Sequence, residues 1–165
     1  MIKVICNASP IIGLIGIGKL SLLWELFDEV LMPEAVYNEL LAGNRVNESA
    51  LIMDLIEKGH IKVIKIRGKD TANLLYGKLH LGELETIIGA KEDPSICFAI
   101  IDEKAARAFA ATMLVDTLGI LGVLIHAKSK GKIDAVRPYM DMLIQNHYRI
   151  SDALYNQVLH QEGEL

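Results

Sequence analysis

Features that would place the chain in a membrane or an export pathway are missing from its 165 residues. A membrane-spanning helix needs about 18 or more consecutive apolar residues. The nearest approach, residues 11–26, is interrupted by Lys19 and Glu25. The amino terminus also lacks the charged segment, apolar segment and small-residue cleavage site of a signal peptide. These absences predict a cytoplasmic protein with no membrane partner.

Cysteine is scarce, and neither it nor histidine shows the spacing of a zinc site. Cys6 and Cys97 each lie in an apolar run, so both are expected to be buried, reduced thiols. The sequence also lacks a P-loop, a Rossmann glycine fingerprint and a nucleophile elbow. The enzyme classes that depend on those motifs are therefore excluded.

The net charge of −4 argues against a dedicated nucleic-acid binder, which is usually basic. The charge is uneven, however, because residues 126–149 hold five basic and two acidic side chains. This segment predicts a local basic face on an acidic body. The alternative is a solvated helix surface without a ligand. Its basic residues of interest are Lys128, Lys130, Lys132 and Arg137.

Short apolar segments alternate with helical patterns along one expected domain, residues 1–165. The alternation predicts a mostly parallel sheet with helices on both faces. The first and fourth segments are the most apolar, so they are expected at the centre of the sheet. A short helix is expected over residues 72–76, and Asp116 or Thr117 is expected to cap a later helix. The predicted strands are residues 2–6, 29–32, 61–66, 96–101 and 113–115.

Two of these segments end in a polar residue beside a helix start: Asn7 after the first and Asp102 after the fourth. Parallel strands bring their carboxyl ends to one edge of a sheet, where α/β proteins place their sites. We therefore expect these two side chains to lie side by side. The alternatives are that Asn7 only forms a turn and that Asp102 only caps the helix that follows it.

Glutamates on two predicted helices are further candidates. Glu39 lies on the helix predicted to begin at Pro33, next to Leu40 and three residues after Val36. Glu83 and Glu85 are about 200° apart on their helix, and periodicity does not choose between them. Carboxylates gathered at one sheet edge repel one another unless a hard cation such as Mg²⁺ or Mn²⁺ neutralises them. Such a cation can activate water against a phosphodiester.

An ordered set of motifs resembles the PIN-domain family, in particular a prokaryotic subfamily that opens with a strand and then D/N-x-S-P. The motifs cover about residues 2–133, and the C-terminal helices, residues 132–160, follow this core. The matching pieces, in order, are ICNASPIIGLIGIGKLSLLWELF, VLMPEAVYNEL, LHLGELETIIGA, ICFAIIDEKAARAFA and TLGILGVLIHAKSKGKI. The resemblance implies a three-layer α/β/α sandwich around a sheet of about five parallel strands.

The resemblance also implies an acidic site for Mg²⁺ or Mn²⁺. Asn7 falls where most PIN domains have their first aspartate, so the implied site has one negative charge fewer. Glu39, Glu83 and Asp102 fall on the other acids, as catalytic residues and metal ligands. Glu85 is the alternative to Glu83. Additional candidate ligands are Glu103 and Asp116.

The implied function is a metal-dependent ribonuclease that cleaves single-stranded RNA, and the toxin of a toxin–antitoxin pair is one form that this function takes. In this hypothesis the basic segment, with Lys128, Lys130, Lys132 and Arg137, contacts the RNA backbone. The alternative is a catalytically weak or inactive PIN fold that binds nucleic acid or another protein. The expected partners are RNA, a cognate antitoxin and a second copy in a homodimer.

Overall fold

In the computed structural model, which describes residues 1–43, 46–68 and 79–165, five strands form one parallel sheet. Their order is β3-β2-β1-β4-β5, so the prediction that the first and fourth strands lie centrally is confirmed. β3 lies at one edge, as its alternating lysines predict. The strands are β1 (Lys3–Cys6), β2 (Glu29–Pro33), β3 (Lys62–Ile64), β4 (Ile96–Ile100) and β5 (Thr117–Leu118).

Helices cover both faces of the sheet and complete the predicted three-layer α/β/α sandwich. Within the described ranges, none of them is long and apolar enough to cross a membrane. The helices are α1 (Ala8–Gly16), α2 (Leu22–Leu26), α3 (Glu34–Ala42), α4 (Val46–Glu57), α5 (Leu81–Glu92), α6 (Lys104–Thr112), α7 (Ile120–Ser129), α8 (Arg137–Gln145) and α9 (Asp152–Gln161).

The sheet separates two apolar cores because successive strand side chains point to opposite faces. In β1, Val4 and Cys6 pack into the core that includes α1, α2, α7 and α8. Ile5, between them, packs into the core formed with α5 and α6. The continuous apolar runs of the central strands therefore reflect burial on both faces.

The last strand differs from its predicted position. Residues 113–115 do not form a strand, because the chain ends α6 there and turns through Leu114, whose φ is 59°. β5 follows at Thr117–Leu118, and α7 begins only after Gly119. The prediction that Asp116 or Thr117 caps this helix was wrong, since Thr117 is itself in the strand.

Burial also departs from two predictions. Cys6 is buried, but Cys97 is exposed, because the two-residue β5 pairs only with Ala99 and Ile100 and leaves the start of β4 uncovered. Residues 82–90 of α5 are all buried, so this helix has no single apolar stripe, and Leu81 is exposed instead. The helix predicted over residues 72–76 lies outside the described residues.

Candidate metal centre

Asn7 lies where β1 ends and α1 begins, at the carboxyl edge of the sheet. Its backbone N–H donates to the carbonyl of Ile100 (3.0 Å), which ties it to the end of β4. Asn7 occupies the N-cap position of α1, yet its side chain makes no capping hydrogen bond. Its side chain is nevertheless buried, with 4% of the residue exposed. Helix capping therefore does not explain the buried amide.

Asp102 follows β4 at the same edge, and its two carboxylate oxygens differ. Oδ1 accepts a hydrogen bond from the backbone N–H of Ile120 (2.8 Å), at the start of α7. Oδ2 is buried, and it accepts no hydrogen bond of normal distance and angle from any described residue. Asp102 does not cap α6, whose N-cap residue is Glu103. The carboxylate thus holds α7 with one oxygen and leaves the other unpartnered.

Burial is the main cause that raises the pKa of Asp102 above its ordinary value. The Tyr148 hydroxyl, the Ile120 N–H and the Arg107 guanidinium act in the opposite direction, and Glu103 adds to the rise. The Tyr148 hydroxyl therefore faces the carboxylate, but its distance or angle to Oδ2 is outside the usual limits of a hydrogen bond. The net effect is a carboxylate that is costly to keep ionised in its present surroundings.

Glycine at position 82 lets Glu39 and Asn7 approach the same point. A Cβ at Gly82 would lie 2.9 Å from Glu39 Oε2 and 3.4 Å from Asn7 Oδ1. The space that a side chain would fill is therefore bordered by the oxygens of two predicted ligands. Glu39 is exposed on α3, whereas Asn7 is buried.

Packing separates the two glutamates that periodicity left equivalent. Glu83 is buried, and burial raises its pKa, with further contributions from the charges of Glu103 and Glu39 and an opposing effect of His80. Glu85 is also buried, but its Oε1 accepts a hydrogen bond from the backbone N–H of Ala35 (3.2 Å) at the start of α3. Glu83 therefore shares its surroundings with other candidate acids, and Glu85 stabilises a helix terminus.

The remaining predicted acids lie in different places. Glu103 is exposed at the start of α6, and its charge raises the pKa of both Asp102 and Glu83. Asp116 is exposed at the amino end of β5, not at the carboxyl ends where Asn7 and Asp102 lie.

The predicted RNA-contacting residues lie in the last turn of α7 and beyond it. This helix begins beside Asp102 and runs about 15 Å to Ser129. Lys128 forms an ion pair with Glu164 (2.8 Å) and donates to the carbonyl of Glu162 (2.7 Å). Its ammonium group is therefore already engaged within the chain. The exposed members of the set are Lys130, Lys132 and Arg137.

Three residues near the site were not found from the sequence. Arg107 lies in the matching piece ICFAIIDEKAARAFA, five residues after Asp102, but it was missed because the resemblance gave it no role. A Cβ at Gly119 would contact both side chains. His80 precedes α5, and its effect on Glu83 is to lower the pKa of that carboxyl group. Tyr148 comes from the C-terminal segment, where no local pattern indicates that it folds back to Asp102.

A family of PIN domains, DUF3368, matches residues 3–164, almost the whole chain. The chain belongs to the PIN-domain family. No curated protein gives a significant match, and neither does any solved structure. The family identity agrees with the observed sandwich and implies a nuclease-like fold; PIN domains generally depend on Mg²⁺ or Mn²⁺.

The donors of this PIN domain suit such a cation in chemistry, since all are oxygens and Asp102 Oδ2 is buried without a partner. Within residues 1–43, 46–68 and 79–165, no three His, Cys, Asp or Glu side chains lie close enough together to hold a metal ion. Mg²⁺ is usually held by one or two carboxylates and keeps several waters. A site of Asp102, an amide and waters is therefore compatible with it.

Proposed function

We propose that the protein is a metal-dependent ribonuclease that cleaves single-stranded RNA at the carboxyl edge of its sheet. The observation that carries the proposal is the buried Oδ2 of Asp102, one strand away from Asn7, which accepts no well-formed hydrogen bond from the described residues although the Tyr148 hydroxyl faces the carboxylate. A buried carboxylate oxygen without a partner is costly, and a bound cation would remove that cost. Membership of the PIN-domain family supports a nuclease-like activity.

In this proposal Mg²⁺ or Mn²⁺ is held by Asp102 and the amide of Asn7, with Glu39 and Glu83 acting through the waters that the cation keeps. The cation would supply activation of a water molecule and neutralisation of the phosphodiester. The Ile120 N–H holds Asp102 Oδ1 and so fixes the direction of Oδ2. The pKa of Glu83 is raised by burial, so Glu83 binds a proton more readily than an ordinary glutamate, and a nearby cation would compete with that proton.

The RNA backbone needs cations near the site, and Arg107 is better placed for this than the far end of α7. Arg107 is an exposed residue, and its Nη1 would lie 3.1 Å from a Cβ on Gly119, beside Asp102. The salt dependence of RNA binding tests this assignment. Arg107→Ala is expected to reduce the slope of log binding constant against log salt concentration by about one. Arg137→Ala is expected to leave this slope unchanged.

The main experiment uses the two glutamates of α5 as a matched pair. Cleavage of a labelled single-stranded RNA is measured with Mn²⁺, with Mg²⁺ and with EDTA. We expect Glu83→Gln to reduce metal-dependent cleavage at least about a hundredfold, since it removes a charge that acts on the cation through its waters. Glu85→Gln is expected to keep cleavage in the folded protein and to lower its thermal stability. Equal cleavage by wild type and Glu83→Gln, or equal cleavage in EDTA, would overturn the proposal.

A second function is favoured by Asn7: a PIN fold that binds RNA but cleaves it poorly. Asn7 is neutral where the family resemblance implies an acid, which weakens attraction for a divalent cation. Calorimetric Mn²⁺ titration of wild type beside Asn7→Asp separates the two functions. Tight binding and cleavage by the Asp variant alone would favour the RNA-binding module. Comparable binding by both proteins would favour the ribonuclease.

The toxin role, the antitoxin partner and the homodimer remain predictions. Light scattering of the purified chain, alone and with a small protein encoded beside its gene, measures both kinds of association. A monomer that does not change mass in that mixture would contradict them.

A further inference from the structure

The turn that follows α8 folds back onto α1. Asn146 Nδ2 donates to the carbonyl of Gly16 (3.1 Å), and the Tyr148 N–H donates to the carbonyl of Leu143 (2.9 Å). A Cβ on Gly13 would lie 3.9 Å from Tyr148 Cε2. The aromatic ring of this C-terminal turn is therefore in contact distance of α1, far from it in sequence.

A cleft of about 480 Å³ lies between this turn and helices α1, α3 and α4. Its volume is within the range of small-molecule sites. Glu39 borders both the cleft and the candidate metal centre, and Tyr148 faces Asp102. The cleft therefore shares two of its lining residues with the surroundings of the candidate metal centre. The residues that the argument uses are Ile12, Glu39, Leu143, His147 and Tyr148.

The lining suits a base better than a phosphate. It combines a half-buried phenol ring, an imidazole and the apolar side chains of Ile12 and Leu143. Among the described residues that line it there is no Lys or Arg, and Glu39 adds negative charge. A phosphate would be repelled, whereas a base can stack on an aromatic ring.

His147 is held in an uncommon conformation at the rim of this cleft. Its φ is 67°, in the left-handed region where Asn, Asp and His are enriched among non-glycine residues. Its side chain is exposed. The Tyr148 N–H bond to the carbonyl of Leu143 closes the end of α8 in this conformation and so fixes where His147 and Tyr148 lie.

We propose that this cleft receives one unpaired base of the RNA strand, next to the bond that is cut, stacked on Tyr148 and bordered by His147. The proposal rests on the proposed function, because it assumes that RNA reaches the adjoining site. It makes the C-terminal turn a determinant of substrate binding and explains a requirement for single strands, since a paired base cannot enter the cleft.

The experiment measures binding in EDTA at low salt, so that it does not depend on a metal ion or on cleavage. The probes are fluorescent single-stranded oligoribonucleotides of about eight nucleotides and abasic oligomers of the same length, which keep the phosphates without the bases. Wild type is expected to bind the oligomer with bases about tenfold more tightly than the abasic one, which is within the range for stacking of one base.

Three variants test whether the cleft produces this preference. His147→Asn removes the ring in a residue type that tolerates the backbone angle, and we expect it to reduce the preference several-fold. Tyr148→Ala is expected to abolish the preference, and Tyr148→Phe to keep it. His160→Asn, on the exposed face of α9, is the matched control and is expected to behave as wild type. Circular dichroism checks that each variant is folded.

Loss of the preference in His147→Asn with His160→Asn unchanged supports the proposal. An unchanged preference in His147→Asn and in every folded Tyr148 variant overturns it, as does equal binding of both oligomers by wild type. Base-dependent binding through these residues without any metal-dependent cleavage would leave this inference standing and contradict the ribonuclease. Metal-dependent cleavage without base-dependent binding would support the ribonuclease and contradict the inference that the cleft binds a base.

Discussion

The two edges of the sheet carry acidic side chains in opposite situations. At the amino edge, Asp93 accepts a hydrogen bond from Lys3 Nζ (2.7 Å), and Lys3 also lies 3.9 Å from Glu29. Chiefly through that bond, the pKa of Asp93 falls to about 2. At the carboxyl edge, burial instead raises the pKa of Asp102 and of Glu83.

The difference shows which acids are part of the scaffold and which are available. Asp93 at the amino edge is ionised at neutral pH and accepts hydrogen bonds from Lys3 and Ser95, so it stabilises the chain. Asp102 at the carboxyl edge keeps a buried oxygen without a partner, which costs stability until something binds there. Perturbed acids gathered in one place are typical of functional sites, although ion-pair networks perturb pKa values as well.

Asp102→Asn is the change with the largest expected effect. It keeps an acceptor for the Ile120 N–H and removes the charge, so metal-dependent RNA cleavage is expected to fall at least about a hundredfold. Metal-free stability is expected to hold or rise. A raised pKa means that the ionised carboxylate destabilises the folded state as pH increases above the ordinary aspartate value.

Urea unfolding in EDTA across this pH range, together with a cleavage assay, checks both parts. Asp93→Asn is the control from the opposite edge and should show the reverse combination, normal cleavage with lower stability. A protein that loses stability at neutral pH with Asp102→Asn would place Asp102 among the scaffold acids and remove the contrast between the edges.

Glu164→Ala is expected to have the second largest effect, on folding alone. Glu164 accepts hydrogen bonds from the backbone N–H groups of Val136 and Arg137 and from Lys128 Nζ. Only 10% of its side chain is exposed, so truncation leaves two backbone N–H groups without their acceptor, and Lys128 keeps only its bond to the carbonyl of Glu162. A loss of about 2 kcal/mol in the free energy of unfolding is expected, with RNA cleavage unchanged.

The pH dependence of this loss has a definite sign. Burial alone would raise the pKa of Glu164, but the donors from Lys128, Val136 and Arg137 outweigh it and lower the pKa. The contribution of Glu164 is therefore present above the ordinary glutamate value and disappears as pH falls through the folded-state value. Denaturant unfolding of both proteins at neutral and acid pH should converge on the acid side. A constant difference would contradict the role of the charge.

The sequence predicted the elements whose signals are local. The apolar runs that end at Asn7 and Asp102 located two central strands, and parallel pairing brings those ends together. Periodicity did not choose between Glu83 and Glu85, because residues 82–90 of α5 are all buried, and only the family resemblance preferred Glu83. The choice depends on contacts with α3 that no spacing within α5 encodes.

Contacts between distant segments account for the other omissions. Tyr148 reaches the surroundings of Asp102 only because its turn packs on α1, and Lys128 is occupied by Glu164, 36 residues later. A cluster of basic residues in the sequence therefore indicated a binding surface without revealing that one member is engaged. The sequence also did not predict the turn at position 114. The apolar residue there has a positive φ and lies in a turn instead of a strand.

Asp93→Asn is expected to have the smallest effect, and it tests the amino edge directly. The Asp93 side chain is 38% exposed, so solvent screens its ion pair with Lys3, and the loss in unfolding free energy should stay below about 1 kcal/mol. Because the pKa of Asp93 is lowered from 3.8 to about 2, its contribution is complete above the higher value and is lost as pH falls towards the lower one. Urea unfolding of both proteins should give converging stabilities over that interval, and added salt should reduce the difference at neutral pH. A difference that persisted in strong acid would have to come from the hydrogen bonds between Asp93 and Ser95, and the contrast between the two edges would then rest on hydrogen bonding more than on charge.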